Sequence, residues 1–207
     1  EHEKLLRRMG MVYEKLSGED PAEIGNRQVV ILGRNPVPEN RKAAFRKDFA
    51  AHRERAYVAL PGAPLDLLPV KLKTAKRPVF RALVPKHDPL FAGIPDADLY
   101  FREAREMDVL DAPPEWTVTT SPALFGRYDF RTGAVIVMNL SPAQMEESFW
   151  MREKVSRVWN AIFNNMNIAL GRDLKLFSSP RMRHNTVTPL FAETVLKDGM
   201  LKLDGRN

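Results

Sequence analysis

Gln28 to Pro69 is the stretch that most restricts how this chain folds. Val29-Val30-Ile31-Leu32 is an unbroken apolar run that stops at Gly33. A short run without polar alternation suits a strand covered on both faces, as parallel sheets require. Glu39 to Arg53 follows with a helix-forming composition. Phe45 and Phe49 are spaced to share one helical face, while Arg46, Lys47, Asp48 and Arg53 can turn to water. Arg55 to Leu60 is a second strand, ended by Pro61-Gly62. Strand, helix and strand at these lengths predict a βαβ unit with a right-handed crossover.

Loops at the carboxyl ends of parallel strands carry ligands and chemistry in α/β proteins. Here those loops are Gly33-Arg34-Asn35-Pro36 and Leu60-Pro61-Gly62-Ala63. Neither holds a Ser, Cys, His or carboxylate, so neither offers a nucleophile or a base.

Around this unit the chain has 207 residues, enough for one sizeable α/β domain and a small appendage. The opening residues predict a helix over 1–9, with Gly10 as its C-cap. Met11 to Leu16 is expected as a strand, and Asp20-Pro21-Ala22-Glu23 as the start of a helical turn. Arg77 to Pro85 predicts a mostly covered strand near an edge. His87 to Ile94 predicts a compact turn. Arg105 to Leu110 and Trp116 to Thr120 are further strands, and Ala123 to Phe130 with Ala134 to Leu140 form a hairpin around Arg131-Thr132-Gly133. Ser148 to Leu170 is the longest helix, ended by Gly171. Its apolar stripe is Met151, Val155, Val158, Trp159, Ile162 and Met166. Ser178 to Arg181 is expected as a linker, and Pro189 to Asn207 as two short strands around Lys197-Asp198-Gly199.

The formal charge is +6, spread over Arg41–Arg55, Lys71–Arg77, Arg152–Arg157 and Arg172–Arg183. The densest run, Lys71 to Arg77, holds no aromatic for stacking on bases. A solvated surface is the expected use of this charge, and nucleic acid is not the expected partner. Cysteine is absent, which excludes disulfides, thiolate metal sites and a cysteine nucleophile. No apolar run approaches the roughly 18 residues of a membrane helix, so no membrane partner is expected.

With these pieces in order, the chain resembles the class I glutamine amidotransferase-like domain found inside multidomain glycoside hydrolases of the β-galactosidase type. The resemblance rests on R-R-M-G-M-V-Y-E-K-L, V-V-I-L-G-R-N and L-P-G-A-P-L-D-L-L-P. It continues through H-D-P-L-F-A-G-I-P-D-A-D-L-Y-F-R, G-A-V-I-V-M-N-L-S-P and the final long helix. It covers residues 1–172; residues 173–207 would be a linker and the start of a β-sandwich domain. It implies a three-layer, doubly wound α/β fold. The sheet would be mostly parallel with helices on both faces, and a β-hairpin and a long helix would close it. True amidotransferases place a Cys on the sharp turn after a central strand. The matching turn, Leu60-Pro61-Gly62, has no nucleophile. The implied role is therefore non-catalytic: packing against other domains of the same polypeptide, and homo-oligomerisation. No cofactor is expected.

Two rival readings remain at this point, a small independent α/β hydrolase using His87 and Asp88, and a basic anion- or nucleic-acid-binding module. His87 beside Asp88 is the most tempting acid/base pair, against the plainer reading that it satisfies backbone groups in a turn before Pro89; Asp108 and Asp111 read as structural. His2, His52 and His184 lack a second ligand at metal spacing. Asp96 and Asp98 are too close in sequence to straddle a sugar, and read as a helix cap and a surface charge. Trp159 belongs to the core stripe, while Phe149 and Trp150 are candidate contact aromatics at an interface. The topology carries one more expectation. If the fold is doubly wound, a strand is missing between Met11–Leu16 and Gln28–Leu32. It would come from just before Glu1 or be borrowed from elsewhere.

Overall fold

The computed structural model describes residues 2–34, 36–111, 115–145, 148–168 and 170. Expectations for Gly171, the linker Ser178–Arg181, the strands within 189–207, the basic residues 172–183 and the appendage at 173–207 lie outside them.

The organising unit folds as a parallel βαβ. β1 (Val29–Leu32), α2 (Lys42–Ala51) and β2 (Ala56–Ala59) follow α1 (His2–Arg8), and β1 pairs with β2 from Val29↔Ala56 to Leu32↔Ala59. β3 (Lys73–Arg81) and β4 (Tyr100–Asp111) make a separate antiparallel ribbon. β5 (Val118–Thr119), β6 (Phe125–Asp129) and β7 (Ala134–Met138) complete the main sheet, and α3 (Phe149–Asn165) closes the described fold. Strand order in the five-stranded sheet is β1-β2-β7-β6-β5. β1, β2 and β7 are parallel, and β6 and β5 are added antiparallel. The fold is mixed α/β, built around a parallel core, with β1 at one edge of the sheet among the described residues.

Alternation along the central strands divides the core. Val58, Leu60, Ile136 and Met138 join one apolar cluster with Leu6 of α1, Met9 just after it, and Val155, Val158, Trp159 and Ile162 of α3. Tyr57, Ala59, Val135 and Val137 join a second cluster with Phe45 and Phe49 of α2. The period of two in the strands puts successive side chains on opposite faces, so each helix face finds its own half of the sheet.

Two helices end on the same device. At α1, Gly10 sits at φ 68, its N–H donates to Arg7 O at 2.9 Å, and the Met11 N–H donates to Leu6 O at 3.1 Å. At α3, Asn167 sits at φ 58, its N–H donates to Asn164 O at 2.9 Å, and the Ile168 N–H donates to Phe163 O at 3.0 Å. Both are Schellman closures, with the apolar C″ residue returning to the core. The second one corrects the sequence expectation. The helix stops at Asn165 rather than at Leu170, because Asn167 takes the left-handed position that glycine was expected to hold.

Met11–Leu16 is the main correction. It forms no strand, and Val12–Leu16 make no backbone–backbone hydrogen bond among the described residues. Met11 is tied to Leu6 by the helix closure, and Val12 is then thrown out to 95% exposure. β propensity at Val12 and Tyr13 cannot make a strand without a neighbouring ladder. β3 also departs from expectation. It starts at Lys73, and only Val79 along it is buried. As one half of a two-stranded ribbon it is covered on one side by little but β4. The hairpin from β6 to β7 lies where the sequence placed it, closed by Phe130 N–H to Gly133 O at 2.9 Å.

Candidate functional site

A cleft of about 1070 Å³ is lined by β1, at the sheet edge among the described residues, and by residues at the carboxyl ends of the parallel strands. Val29–Gly33 and Met11–Leu16 both line it. Arg34, Pro61, Gly62, Asn139, Ser141 and Gln144 lie at the strand ends. This is the place where α/β sheets bind ligands, beyond the carboxyl ends of their strands.

The turn after β2 is shaped by its own residues. Leu60 N–H donates to Leu32 O at 2.9 Å, and Ala63 N–H closes back on Leu60 O at 2.9 Å. Gly62 adopts φ 79, which that tight turn requires. Leu60 and Ala63 are buried, and Pro61 with them, so the three side chains at the turn are packing groups. The Arg34 side chain lies over Gly62; a Cβ there would come 3.3 Å from its Nε. Arg34 is exposed and makes no hydrogen bond or ion pair among the described residues, which leaves one uncompensated cation at the strand ends.

Polar groups beside that turn are committed to the backbone. Asn139 Nδ2 donates to Asp108 O at 2.9 Å, across to the ribbon. Ser141 is fully buried, its Oγ accepts from Ala143 N–H at 3.2 Å, and its own N–H donates to Gln144 Oε1 at 2.6 Å. These bonds start the 3-10 turn Pro142–Met145 that leads toward α3. A serine held in this way is a capping group.

The residues singled out from sequence fall in other places. His87 is exposed, with no hydrogen bond among the described residues. Asp88 accepts from Leu90 N–H at 2.8 Å and meets the Arg127 guanidinium with both oxygens, at 3.0 and 2.9 Å. That bidentate pair ties the 88–91 turn to β6, so the carboxylate is occupied by packing rather than by the neighbouring imidazole. Asp96 accepts from Val84 N–H at 2.8 Å and from Lys86 Nζ at 2.9 Å. The Val84 bond, followed by Lys86, holds its carboxyl below the usual range. Asp98 is buried and paired with Arg157 of α3; burial raises its pKa against the pull of that arginine. Neither aspartate caps the short helix they lie in, and Asp98 is no surface charge. Their partners are 59 residues away for Asp98 and 12 for Asp96, beyond what local spacing can reveal.

His52 sits at the opposite end of the sheet, against Glu54 at 2.8 Å and Asp48 at 3.4 Å. Its carbonyl accepts the hydroxyl of Tyr57 at 2.8 Å, and burial pushes that phenol up to about 12. His2 lies with its ring centroid 6.0 Å from that of Trp159. Among the described residues, no three His, Asp or Glu side chains are grouped to hold a metal ion.

Two surface features complete the picture. Phe149 and Trp150, at the start of α3, are 42% and 43% exposed and touch edge-to-face at 5.3 Å, with the Arg152 guanidinium over Phe149. Phe80 and Tyr100 on the ribbon form a second exposed aromatic pair at 5.1 Å, which sequence reasoning missed because their ladder register was not visible in it. On the same ribbon, Lys73 stands opposite Asp111 and Lys76 opposite Asp108. Directly opposed charges of unlike sign offset each other across a ladder. Among the described residues, no helix is long and apolar enough to cross a membrane. Compared with protein-family models, with curated proteins and with solved structures, the chain matches none.

Proposed function

We propose that this chain is a non-catalytic, amidotransferase-like α/β domain of a larger carbohydrate-active hydrolase of the β-galactosidase glycoside hydrolase type, acting in domain packing and oligomerisation. One observation carries the reading. The turn after β2, where the resembled fold keeps its nucleophile, is a tight apolar turn of Leu60, Pro61, Gly62 and Ala63 whose side chains serve packing. Acyl transfer needs a nucleophile with a base beside it, and this turn offers neither. The apolar clusters on the two faces of the sheet, α1 and α3 on one and α2 on the other, support a doubly wound, three-layer arrangement.

The exposed pair Phe149 and Trp150 supports a contact role, since aromatic anchors of this kind dominate protein interfaces. The opposed charges on β3 and β4 weigh against a nucleic-acid surface there. The test combines turnover with mass. The 207-residue chain is expected to leave glutamine and simple esters unhydrolysed, and to self-associate in sedimentation equilibrium. Replacing Phe149→Ser and Trp150→Ser together should return it to monomer with unchanged circular dichroism. Turnover abolished by His87→Ala would overturn the proposal in favour of a small hydrolase. A chain that is monomeric at all concentrations would remove the oligomerisation role.

A further inference from the structure

We infer that the cleft, at the carboxyl ends of its strands, binds a small organic oxyanion: a carboxylate or phosphate on an apolar body, anchored by Arg34. The charges that line the cleft single out this end of it. Lys15 is paired with Glu3 at 3.2 Å, and Arg27 with Glu14. Asp108 stands opposite Lys76 in the ribbon ladder. Arg34 is the lining cation that has no carboxylate partner among the described residues, and it is exposed. Its position is set by the turn beneath it. A Cβ on Gly62 would come 3.3 Å from Arg34 Nε and 3.8 Å from one of its terminal nitrogens, so the planar group rests against bare backbone. Gly62 thus serves the turn through its φ of 79 and the arginine through its missing side chain. A planar guanidinium placed in this way presents a fork that matches the oxygens of a carboxylate or phosphate.

Further donors lie at the same end. The N–H groups of Gly33, Arg34 and Gly62, all lining residues, make no backbone hydrogen bond among the described residues. Gln144 is exposed, and its Oε1 is taken by Ser141 N–H at 2.6 Å, which leaves the two hydrogens on its Nε2 for a ligand. The rest of the lining decides what the anion is attached to. Val30, Ile31 and Ile168 are half-buried in the same cleft and supply apolar surface. A bare ion would occupy a small part of about 1070 Å³, whereas pockets for small organic ligands are mostly apolar with a few placed polar groups. Carboxyl ends of parallel strands are also where α/β sheets take their ligands. The inference stands apart from the amidotransferase-like reading: binding needs no nucleophile, and a ligand held beside Leu60–Ala63 meets none there.

Amide chemical shifts of the isotope-labelled, 207-residue chain test this during titration with phenyl phosphate, benzoate, inorganic phosphate and benzyl alcohol. Phenyl phosphate or benzoate should give saturable shifts at Gly33, Arg34 and Gly62, and the tighter of the two identifies the headgroup. Benzyl alcohol keeps the ring and lacks the charge, and inorganic phosphate keeps the charge and lacks the ring. Each should bind at least about 10-fold more weakly. Arg34→Gln should weaken the tighter ligand by at least about 10-fold, with the amide shifts of α3 unchanged as the sign of an intact fold. Lys47→Gln, exposed on α2 and outside the cleft, should leave binding as it was. No saturable shift with either aromatic anion would overturn the inference. So would equal losses in Arg34→Gln and Lys47→Gln, which would mean that net charge alone attracts the probe. Benzyl alcohol binding as tightly as the anions would remove the anchoring role of Arg34, and inorganic phosphate doing so would remove the apolar body.

Discussion

Glu153 offers the sharpest test of how α3 is packed. It is 6% exposed on the helix, and its Oε2 has no hydrogen-bond partner among the described residues. Arg157 Nε and Asn160 Oδ1, one and two turns further on, are likewise unpartnered. Burial raises the Glu153 pKa, and the attraction of Arg152 and Arg157 only partly offsets it. Replacing Glu153→Met keeps the length of the side chain and a near-equal helix propensity. It removes a buried acceptor whose lack of a partner costs about 1–3 kcal/mol. Against that stands the lost attraction to Arg152 and Arg157. The net expectation is a gain of about 1 kcal/mol at pH 7, or a Tm higher by roughly 2–4 °C in a chain of this size. The gain has a pH signature. An unfolded Glu titrates near about 4.3, and the folded group titrates above that. The folded state therefore binds the proton more tightly, so the native protein loses stability as pH rises from the unfolded value through the folded one. The advantage of methionine should be small at pH 4, grow through that window and then level off. Urea unfolding followed by tryptophan fluorescence at a series of pH values measures it. A Glu153→Met protein destabilised by more than about 1 kcal/mol, or a gain that does not vary with pH, would refute the reasoning.

Three further substitutions probe the packing of the sheet and its turns. Trp159 is fully buried and its indole N–H donates to Leu140 O at 2.6 Å, so Trp159→Phe should cost about 2 kcal/mol in urea unfolding through lost ring contacts and a stranded carbonyl. A neutral result would show that the helix can repack over β7. At Gly133 an added Cβ would stand 2.3 Å from Arg55 O and 2.4 Å from Arg53 O, both rigid backbone. Gly133→Ala should lower stability by about 1–3 kcal/mol, whereas Gly93→Ala, with open space around it, tests only the strain of φ 77.

What could be read from sequence was what local physics decides. β1, α2 and β2 were legible because an apolar run, a helical spacing of Phe45 and Phe49, and a Pro-Gly stop all agree over a short stretch. The α1 end was legible for the same reason, since Gly10 is the default residue at φ 68. The end of α3 was misplaced because Asn167 adopts the left-handed conformation only in partnership with the Ile168–Phe163 closure and its apolar contact. Arg77–Pro85, expected as a mostly covered strand, overlaps the exposed β3 because burial depends on which sheet a strand joins, and periodicity does not say that.

The candidate site divides along the same line. The empty turn at Leu60–Ala63 could be read directly, because a missing nucleophile is a property of four adjacent residues. Asp88 and Asp98 could not, because their roles are set by Arg127 and Arg157, which the fold brings to them from distant elements. Met11–Leu16 joins both cases. Its composition favours a strand, yet a strand exists only as a pair, and this segment lines a cleft without a backbone ladder among the described residues. The propensity reading therefore failed on the assignment, because β propensity alone does not supply the neighbour a strand needs. β-branched and aromatic residues gain their strand preference from neighbours on a pleated surface, and here the aromatic residue finds its neighbours in the core instead. Tyr13 packs against the core and its hydroxyl accepts from Arg7 Nε at 3.1 Å, while Val12 is left exposed.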